Sequence, residues 1–236
     1  MSEFKYVGSE LELFAAVHNW KSYWSSRLRP YIVGDVLEVG AGIGSNTPYL
    51  NRGGNRRWVC LEPDPVLAAQ LRLNLGQATS LHECEIVCST LQGLEARKFD
   101  TIMYIDVLEH IENDRKELEA AAALLRNGGR LMVLSPAHQR LFTPFDAAIG
   151  HFRRYTRAMF RSISPASLAL EQVWYLDSVG LVLSAANRHF LRQSMPTKAQ
   201  LRFWDQCVIP VSRVLDRCLF GLVGKSIVGI WRREQA

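Results

Sequence analysis

Long apolar runs, internal repeats and low-complexity segments are missing from this chain of 236 residues, and cysteine is rare. The five cysteines are odd in number and lack the paired spacings of zinc ligands, which argues against a disulfide framework or a zinc module. No apolar run is long enough to cross a bilayer, and the amino terminus lacks the features of a secretory signal. We therefore expect a cytoplasmic protein with reduced cysteines and no transmembrane segment.

The composition that remains is typical of an ordered globular protein. Hydrophobic residues make up 48% of the chain and charged residues 22%, so the chain can bury a core and does not resemble a disordered segment. The net charge of +5 permits an anionic substrate or a membrane-surface contact but requires neither. At this length we expect one domain over residues 1–236.

Apolar periodicity divides the chain into alternating strands and helices. Between residues 9 and 29, apolar and aromatic side chains recur at helical spacing as far as Pro30. The predicted strands are 35–40, 57–62, 84–88, 99–105, 129–135, 170–176 and 226–231. The predicted helices that follow are 44–52, 64–76, 114–126, 178–193 and 198–220, the third ending at a helix stop over residues 127–129. This rhythm predicts a doubly wound α/β sheet.

A glycine-rich loop follows the first predicted strand. It carries Gly40, Gly42 and Gly44 at every second position, and a helix is predicted to begin there. Since glycine has no Cβ, such a loop lets a ligand lie directly against the backbone. A dinucleotide-binding fingerprint would need its third glycine at Ser45, one residue later than the glycine found here.

The second predicted strand ends in an acid, Glu62, twenty-two residues after Gly40. A carboxylate there can accept hydrogen bonds from both hydroxyls of a ribose. Nicotinamide enzymes also carry an acid in this region, so Glu62 indicates a nucleoside ligand without identifying it. The competing structural role, capping the next helix, is better filled by Asp64.

Four segments in this order resemble the motifs of class I S-adenosylmethionine-dependent methyltransferases. They are the glycine loop, the strand ending at Glu62, the segment after the fourth strand and residues 128–136. Residues 150–156 are similar to a G-H-x-R-R-Y-T element of small bacterial enzymes of this class. The resemblance implies a seven-stranded, mostly parallel sheet whose last two strands form an antiparallel hairpin. It also implies a cap helix over 1–30, a cofactor-binding core over 35–165, and late strands with a helical lid insertion over 166–236.

The same resemblance implies S-adenosyl-L-methionine as the cofactor. In this class the glycine loop holds the methionine half, the acid after the second strand holds the ribose, and the loop after the fourth strand faces the methyl donor. Ser89 and Thr90 stand where the class often has an acid for the adenine, which leaves hydroxyls, backbone and Leu91 to contact the base. The predicted cofactor-binding residues are Glu38, Gly40, Ala41, Gly42, Gly44, Glu62, Pro63, Ser89, Thr90, Leu91, Ile105, Asp106 and Val107.

Two histidines are predicted to be catalytic. Methyl transfer from a sulfonium depends mainly on alignment, and a base is needed only when the acceptor carries a proton at working pH. His110 follows the fourth strand, and His151 lies in the G-H-x-R-R-Y-T element, on the expected rim of the acceptor pocket. The alternative for each histidine is a purely structural hydrogen bond.

A metal site is a further alternative at the same residues. Asp106, Glu109, His110 and His151 resemble the arrangement in the metal-dependent small-RNA 2′-O-methyltransferases. However, an acid at a helix start complements the helix dipole without any metal, and the chain lacks an RNA-binding domain. From the sequence we predict no metal.

The expected acceptor is a small molecule, or a lipid- or sugar-linked metabolite, methylated on oxygen or nitrogen. No Asn-Pro-Pro-Tyr motif follows the fourth strand, so we do not expect a nucleic-acid substrate. An apolar acceptor is favoured by aromatic residues of the lid region, namely Trp174, Tyr175, Phe190, Phe203 and Trp204. The alternatives are a nicotinamide-dependent oxidoreductase and a degenerate methyltransferase that serves as an interaction module.

One basic cluster has two interpretations. It consists of Arg153, Arg154, Arg157 and Arg161. The cluster is either a solvated helix start with one internal ion pair or a rim that binds a carboxylate or phosphate of the substrate.

Overall fold

The computed structural model describes residues 6, 11–54, 57–76, 84–94, 97–186 and 197–234. Within these ranges, seven strands form a single sheet. They are β1 (Asp35–Val39), β2 (Arg57–Leu61), β3 (Cys84–Val87), β4 (Phe99–Ile105), β5 (Leu125–Pro136), β6 (Leu168–Leu176) and β7 (Ser226–Arg233). Their order across the sheet is β3-β2-β1-β4-β5-β7-β6.

The strand directions confirm the predicted fold class. Strands β3, β2, β1, β4 and β5 pair in parallel, whereas β7 runs antiparallel to both β5 and β6. The last two strands therefore form the expected antiparallel hairpin, although a long helical insertion separates them in sequence. The parallel strands are nearly continuous apolar runs because helices cover both faces of the sheet.

Ten helices flank this sheet in the described part of the chain. They are α1 (Leu11–Ala15), α2 (His18–Leu28), α3 (Thr47–Leu50), α4 (Pro65–Gly76), α5 (Asp114–Leu124), α6 (Pro144–Ala148), α7 (Arg157–Ser162), α8 (Ser178–Ala186), α9 (Lys198–Phe203) and α10 (Ile209–Cys218). A π-helical turn, Trp204–Val208, joins α9 to α10. No helix among the described residues has the length and hydropathy that a membrane span requires.

Two hydrophobic cores lie on opposite faces of the sheet. One packs apolar side chains of α2, α4 and α10 against the strands, and the other packs side chains of α5 and α7. Trp24, Trp58 and Trp231 are among the largest fully buried side chains. Since each such residue removes a large apolar area from water, these cores supply the main driving force for the fold.

The structure corrects several predicted boundaries. The first helix is broken at Val17, whose backbone is not helical, so α1 and α2 replace one helix over 9–29. The helix predicted over 44–52 is the single turn α3. The strand predicted from 129 begins at Leu125, and the expected helix stop over 127–129 lies within an irregular stretch of β5. The helix predicted over 178–193 is described only as far as Ala186, and the rest lies outside the described residues.

The insertion is joined to the amino-terminal helix by buried carboxylates. Asp205, in the π-helical turn, accepts hydrogen bonds from the backbone amides of Asn19 (3.2 Å) and Trp20 (2.9 Å) at the start of α2. No side chain caps α2 locally, so this distant acid satisfies amides that the helix itself leaves unpaired. The contact places α2 and the insertion side by side above the sheet.

Candidate active site

A cavity of about 800 Å³ opens at the carboxyl ends of β1 and β4. The sheet order reverses between these two strands, and α/β sheets generally bind ligands at this point. The cavity is large enough for a nucleoside cofactor, since known ligand sites span roughly 300–1,000 Å³. Predicted site residues on its wall are Gly40, Ala41, Gly42, Ile105, Asp106, His110 and His151.

The glycine loop has a backbone that only glycine adopts readily. Gly40, Gly42 and Gly44 have φ angles of 66°, 56° and 79°, all in the left-handed region. A Cβ at Gly40 would lie 2.7 Å from the side chain of Val107, and one at Gly44 would lie 2.5 Å from Leu71. Gly44 thus serves helix packing and does not line the cavity, whereas Gly42 lines it and meets no close neighbour.

Glu62 lies directly behind this loop. Its carboxylate accepts hydrogen bonds from the amide of Gly42 (2.8 Å) and from that of Asp64 (3.0 Å). Burial raises the pKa of Glu62 despite these two donors. Asp64 caps α4 by accepting from the amides of Val66 and Leu67. The cap of α4 is therefore Asp64 and not Glu62, as the sequence predicted. Glu62 reaches the cavity wall through Gly42 and does not line the cavity itself.

Glu38 is buried beneath the loop, away from the cavity lining. Its carboxylate accepts hydrogen bonds from the Thr47 hydroxyl (2.9 Å) and the Trp58 indole (3.0 Å). Burial raises its pKa to about 7, and the hydrogen bonds only partly offset that effect. In this arrangement Glu38 ties the start of α3 to β2.

The other residues predicted to contact the cofactor do not line the cavity. Ser89 is half-buried and Thr90 is exposed, whereas Leu91 belongs to the core. Val107 packs against Gly40, and the carbonyl of Pro63 lies 3.9 Å from the sulfur of Cys88. These residues stay predictions for the adenine end of the ligand.

The two predicted histidines meet on the wall of the cavity. The rings of His110 and His151 lie edge to face, with their centroids 4.5 Å apart. Glu109, which is fully buried, places Oε1 3.9 Å from Nε2 of His151. Asp106 completes this wall with a left-handed φ of 54°, a strained backbone that is often found at functional sites. Sequence positions more than forty residues apart therefore form one polar cluster.

Asp146 orients His151, and sequence analysis gave it no role. Its Oδ1 lies 3.0 Å from Nδ1 of His151, and its two oxygens accept from Arg154 at 2.8 Å and 2.9 Å. Burial alone would raise the pKa of Asp146, but the hydrogen bonds from His151 and Arg154 hold it well below its ordinary value. The Asp146 carboxylate holds the Nδ1 side of the His151 ring and leaves Nε2 facing Glu109. The sequence signal for a structural role of Asp146 is its position three residues after Thr143, with which it forms a capping box at the start of α6.

The basic cluster is mostly engaged inside the protein. Arg153 pairs with Asp114 at 2.6 Å, and Arg154 is buried against Asp146. Arg157 donates to the carbonyl of Gly221 at 2.7 Å. The hypothesis of an anion-binding rim gains no support from these three arginines, because each already has an internal acceptor.

Two lysines on the cavity wall carry positive charge that sequence analysis did not identify. Lys21 donates to the carbonyl of Ser45 (3.1 Å), and burial lowers its pKa to about 8. Lys225 places its ammonium group 4.6 Å from the centre of the Trp204 ring. Both face a carboxylate at Asp106, whose pKa burial raises to about 6 in spite of their attraction and that of His151. No local pattern marked them, since their partners come from other elements.

The aromatic residues predicted for the lid divide into two groups. Phe203 and Trp204 line the cavity, together with Trp20 of α2. Trp174 and Tyr175 are buried in β6 and line a separate small pocket. Phe190 lies outside the described residues. Phe203, Trp204 and Trp20 thus form an aromatic wall of the cavity.

The core of the chain matches a known family. Residues 37–131 fit the family model described as a methyltransferase domain, and this range holds the glycine loop, Glu62, Asp106 and His110. The ubiquinone biosynthesis O-methyltransferase of Albidiferax ferrireducens is 28% identical over 107 residues, which are 45% of this chain and 42% of that protein. This chain therefore matches less than half the length of that curated relative.

Solved structures share the fold across most of the chain. The N-methyltransferase NodS of Bradyrhizobium japonicum, in complex with S-adenosyl-L-homocysteine, has a TM-score of 0.57 at 15% identity, covering 93% of this chain and 89% of that one. The cyclase SpnF has a TM-score of 0.61 at 13% identity, covering 91% of this chain and 81% of that one. At such low identity the likeness concerns the methyltransferase fold alone, and the cyclase shows that one fold serves different reactions.

Proposed function

We propose that this protein transfers a methyl group from S-adenosyl-L-methionine to an oxygen or nitrogen of a small molecule or a lipid- or sugar-linked metabolite. The observation that carries the proposal is the glycine loop itself. Its backbone forms the cavity wall at the reversal point of the sheet, and a buried acid, Glu62, is held against it through Gly42. A bare backbone loop with an acid behind it suits a cofactor that joins an amino acid to a ribose.

We propose a role for each of these residues. The loop residues Gly40 and Gly42 bind the methionine half, Glu62 the ribose, and Asp106 the methyl-donor end. The acceptor then lies between the loop and the aromatic wall, with His110 and His151 beside its reacting atom. Alignment supplies most of the acceleration, because the sulfonium is already an activated leaving group. Asp146 acts as a positioning residue, since it touches His151 and not the reacting atoms.

The aromatic wall supports an apolar acceptor. In this proposal the G-H-x-R-R-Y-T element carries His151 to the acceptor pocket.

A nicotinamide oxidoreductase is the main alternative, because it too places an acid after the second strand. The misplaced third glycine argues against it. A cytoplasmic location stays a prediction.

Titration calorimetry with S-adenosylhomocysteine tests the proposal. We expect one-to-one binding by the wild-type protein, and no energy transfer from protein to NADH in a fluorescence titration. Glu62→Ala should weaken the binding of S-adenosylhomocysteine by about 1–3 kcal/mol, because the ribose hydroxyls lose a buried acceptor. Glu85→Ala is the matched control, since Glu85 lies on β3 and pairs with Arg97 at the surface.

Two results would count against the proposal at different levels. Equal affinity in Glu62→Ala and Glu85→Ala would remove Glu62 from the site. Binding of NADH with no uptake of S-adenosylhomocysteine would replace methyl transfer by the oxidoreductase alternative.

A further inference from the structure

Helix α10 carries its apolar residues on the outside. Val211, Val214 and Leu215 have the i, i+3, i+4 spacing of one helix face, and they are 50%, 62% and 41% exposed. The buried residues of the same helix are Ile209, Ser212 and Asp216. A helix that packs on a core normally turns its apolar residues inward, so α10 is inverted, and no described element covers its outer face.

The polar residues on the inner face of α10 have a structural role. The Ser212 hydroxyl accepts a hydrogen bond from the amide of Val179 (3.2 Å), and Asp216 accepts one from the amide of Ser178 (3.0 Å). Both amides belong to the start of α8, so packing of α8 on α10 explains why polar residues face inward. It does not explain why apolar residues face outward.

The turn after α10 extends this exposed surface. Phe220 is 84% exposed and has a φ of 50°, a left-handed backbone that is unfavourable for a bulky residue and usual for glycine or asparagine. The fold therefore keeps an aromatic residue in water on a strained backbone, which points to a function for its side chain. We call this surface the apolar face, and it consists of Val211, Val214, Leu215, Phe220, Leu222 and Val223.

The exposed charges around the apolar face have one sign. Between β6 and β7, over residues 177–225, lysine and arginine occur seven times, and the acids are Asp177, Asp205 and Asp216. All three acids are buried, whereas Arg213 and Arg217 of α10 are exposed. The partner of this surface should therefore be both apolar and negatively charged.

A small pocket beside α10 supplies hydrogen-bond donors for an anion. Arg27, Arg213, Arg217 and Trp174 contribute to its wall, and we call it the arginine pocket. Within the described residues, no ion pair or side-chain hydrogen bond engages any of these three guanidinium groups. The indole Nε1 of Trp174, a residue only 8% exposed, is buried without an acceptor. At about 30 Å³ the pocket has room for a single oxygen of an anion and not for an organic ligand.

We propose that the apolar face and the arginine pocket dock this protein onto a membrane surface of anionic phospholipids. The apolar side chains enter the boundary between headgroups and acyl chains, while the arginines bind phosphate oxygens of the headgroups. A nucleic acid would satisfy the arginines but leave the apolar face in water. A second copy of this chain, related by a two-fold axis, would bring two sets of arginines together.

Docking has a consequence for the acceptor, and this part rests on the proposed function. Leu183 of α8 and Phe203 of α9 line the large cavity and are 43% and 57% exposed, so apolar side chains also stand where that cavity opens. A lipid acceptor could pass from the bilayer into the cavity without exposing its apolar part to water. The acceptor class would then be a membrane lipid.

Co-sedimentation of the full chain with vesicles tests the docking. Vesicles of equal parts phosphatidylglycerol and phosphatidylcholine should bind the protein, and vesicles of phosphatidylcholine alone should bind it at least tenfold more weakly. Binding to the anionic vesicles should weaken as salt is added, because salt screens the arginines. Arg217→Gln should lower the affinity for anionic vesicles about fivefold. Arg115→Gln is the matched control, since Arg115 lies on α5, on the other side of the sheet.

Two further variants test the apolar face. Phe220→Asn should weaken vesicle binding at least tenfold without lowering the free energy of unfolding, because asparagine tolerates the left-handed backbone. Val214→Ser should weaken vesicle binding at least fivefold. Val66→Ser is its matched control, because Val66 lies on α4 and is exposed to nearly the same extent, 65% against 62%.

The outcomes that contradict the proposal are distinct. Equal vesicle binding by Phe220→Asn, Val214→Ser and Val66→Ser overturns it, as does failure of the wild-type protein to bind anionic vesicles. Thermal stabilisation by inorganic phosphate without vesicle binding would assign the arginine pocket to a free anion. A lipid-free dimer in ultracentrifugation that Val214→Ser dissociates would assign the apolar face to a second copy.

Binding of S-adenosylhomocysteine is measured on every variant, because none of the substituted residues lines the large cavity. Vesicle binding without cofactor binding would leave the docking standing and remove the proposed function. Cofactor binding without vesicle binding would do the reverse.

Discussion

At the scale of single residues, buried acids carry much of the local chemistry. Glu38, Glu62 and Asp146 are all nearly inaccessible to water, yet their environments differ. Asp146 faces an arginine and a histidine, so its charged form is favoured. Glu38 accepts only from neutral donors, so burial dominates and its pKa rises. Charge partners, and not depth of burial, decide which of these acids is ionised.

The raised pKa of Glu38 predicts a pH-dependent stability. Its pKa is 4.5 in the unfolded chain and about 7 in the folded protein, so the folded state holds the proton longer. The contribution of this group to folding is therefore fully present below about pH 4.5 and is lost as the pH rises to about 7, by about 3 kcal/mol in all. Glu38→Gln, which cannot ionise, should lack this loss.

Urea unfolding of both proteins between about pH 5 and pH 8 checks this prediction. The free energy of unfolding of Glu38→Gln, relative to wild type, should increase steadily up to about pH 7 and then stay constant. A difference that does not change with pH would show that Glu38 is ionised in the folded protein across this range.

At the scale of elements, the glycine loop combines a strained backbone with a cavity-facing surface. Its three glycines divide these roles. Gly44 packs against Leu71, Gly42 lines the cavity, and Gly40 does both, since it lines the cavity and packs against Val107. The loop is held to β2 because the amides of Gly40 and Ala41 both donate to the carbonyl of Leu61.

Gly42→Ala tests the ligand-facing role against a matched control. Gly53→Ala introduces the same side chain at a φ of 81°, with nothing within 4 Å of the new Cβ. Both variants should lose roughly 1–2 kcal/mol of folding free energy, the cost of a left-handed alanine. Only Gly42→Ala should also weaken the binding of S-adenosylhomocysteine, by at least tenfold in a calorimetric titration. If the two variants bind S-adenosylhomocysteine with equal affinity, the loop does not contact this ligand.

At the scale of the whole molecule, Asp216 connects three parts of the fold. Its carboxylate accepts from the Tyr23 hydroxyl of α2 (2.7 Å) and from the amides of Asp177 (2.7 Å) and Ser178 (3.0 Å) at the start of α8. Asp216 itself lies in α10, so one buried side chain links the amino-terminal helix, the insertion and the end of β6.

Asp216→Ala should therefore destabilise the protein by about 3 kcal/mol, because it leaves two buried amides without an acceptor. Tyr23→Phe removes only one of the three hydrogen bonds and should cost about 1 kcal/mol. Chemical denaturation of the two variants measures the difference. If both lose the same free energy, the amides of Asp177 and Ser178 have found other partners and the connection is weaker than the geometry indicates.

Sequence patterns were sufficient where the signal is local. The glycine loop, the acid at the end of β2 and the rhythm of strands and helices all depend on backbone preferences within a few residues. Patterns were insufficient at boundaries, as where β5 begins at Leu125, because pairing with β4 overrides the helix stop at the glycines. Lys225 was missed because its partner Trp204 lies in another element. Asp146 was missed although its partners His151 and Arg154 follow within eight residues, because only the folded loop brings them together.

The sequence by itself determined the doubly wound sheet and the glycine loop after its first strand, since periodicity and glycine conformation are properties of short segments. Only the tertiary structure decided what surrounds His110 and His151. The proximity of Glu109 to His151 and the aromatic wall from α2 and the insertion arise from packing between remote elements. Such contacts depend on how the sheet and its two layers of helices come together, and no local pattern records them.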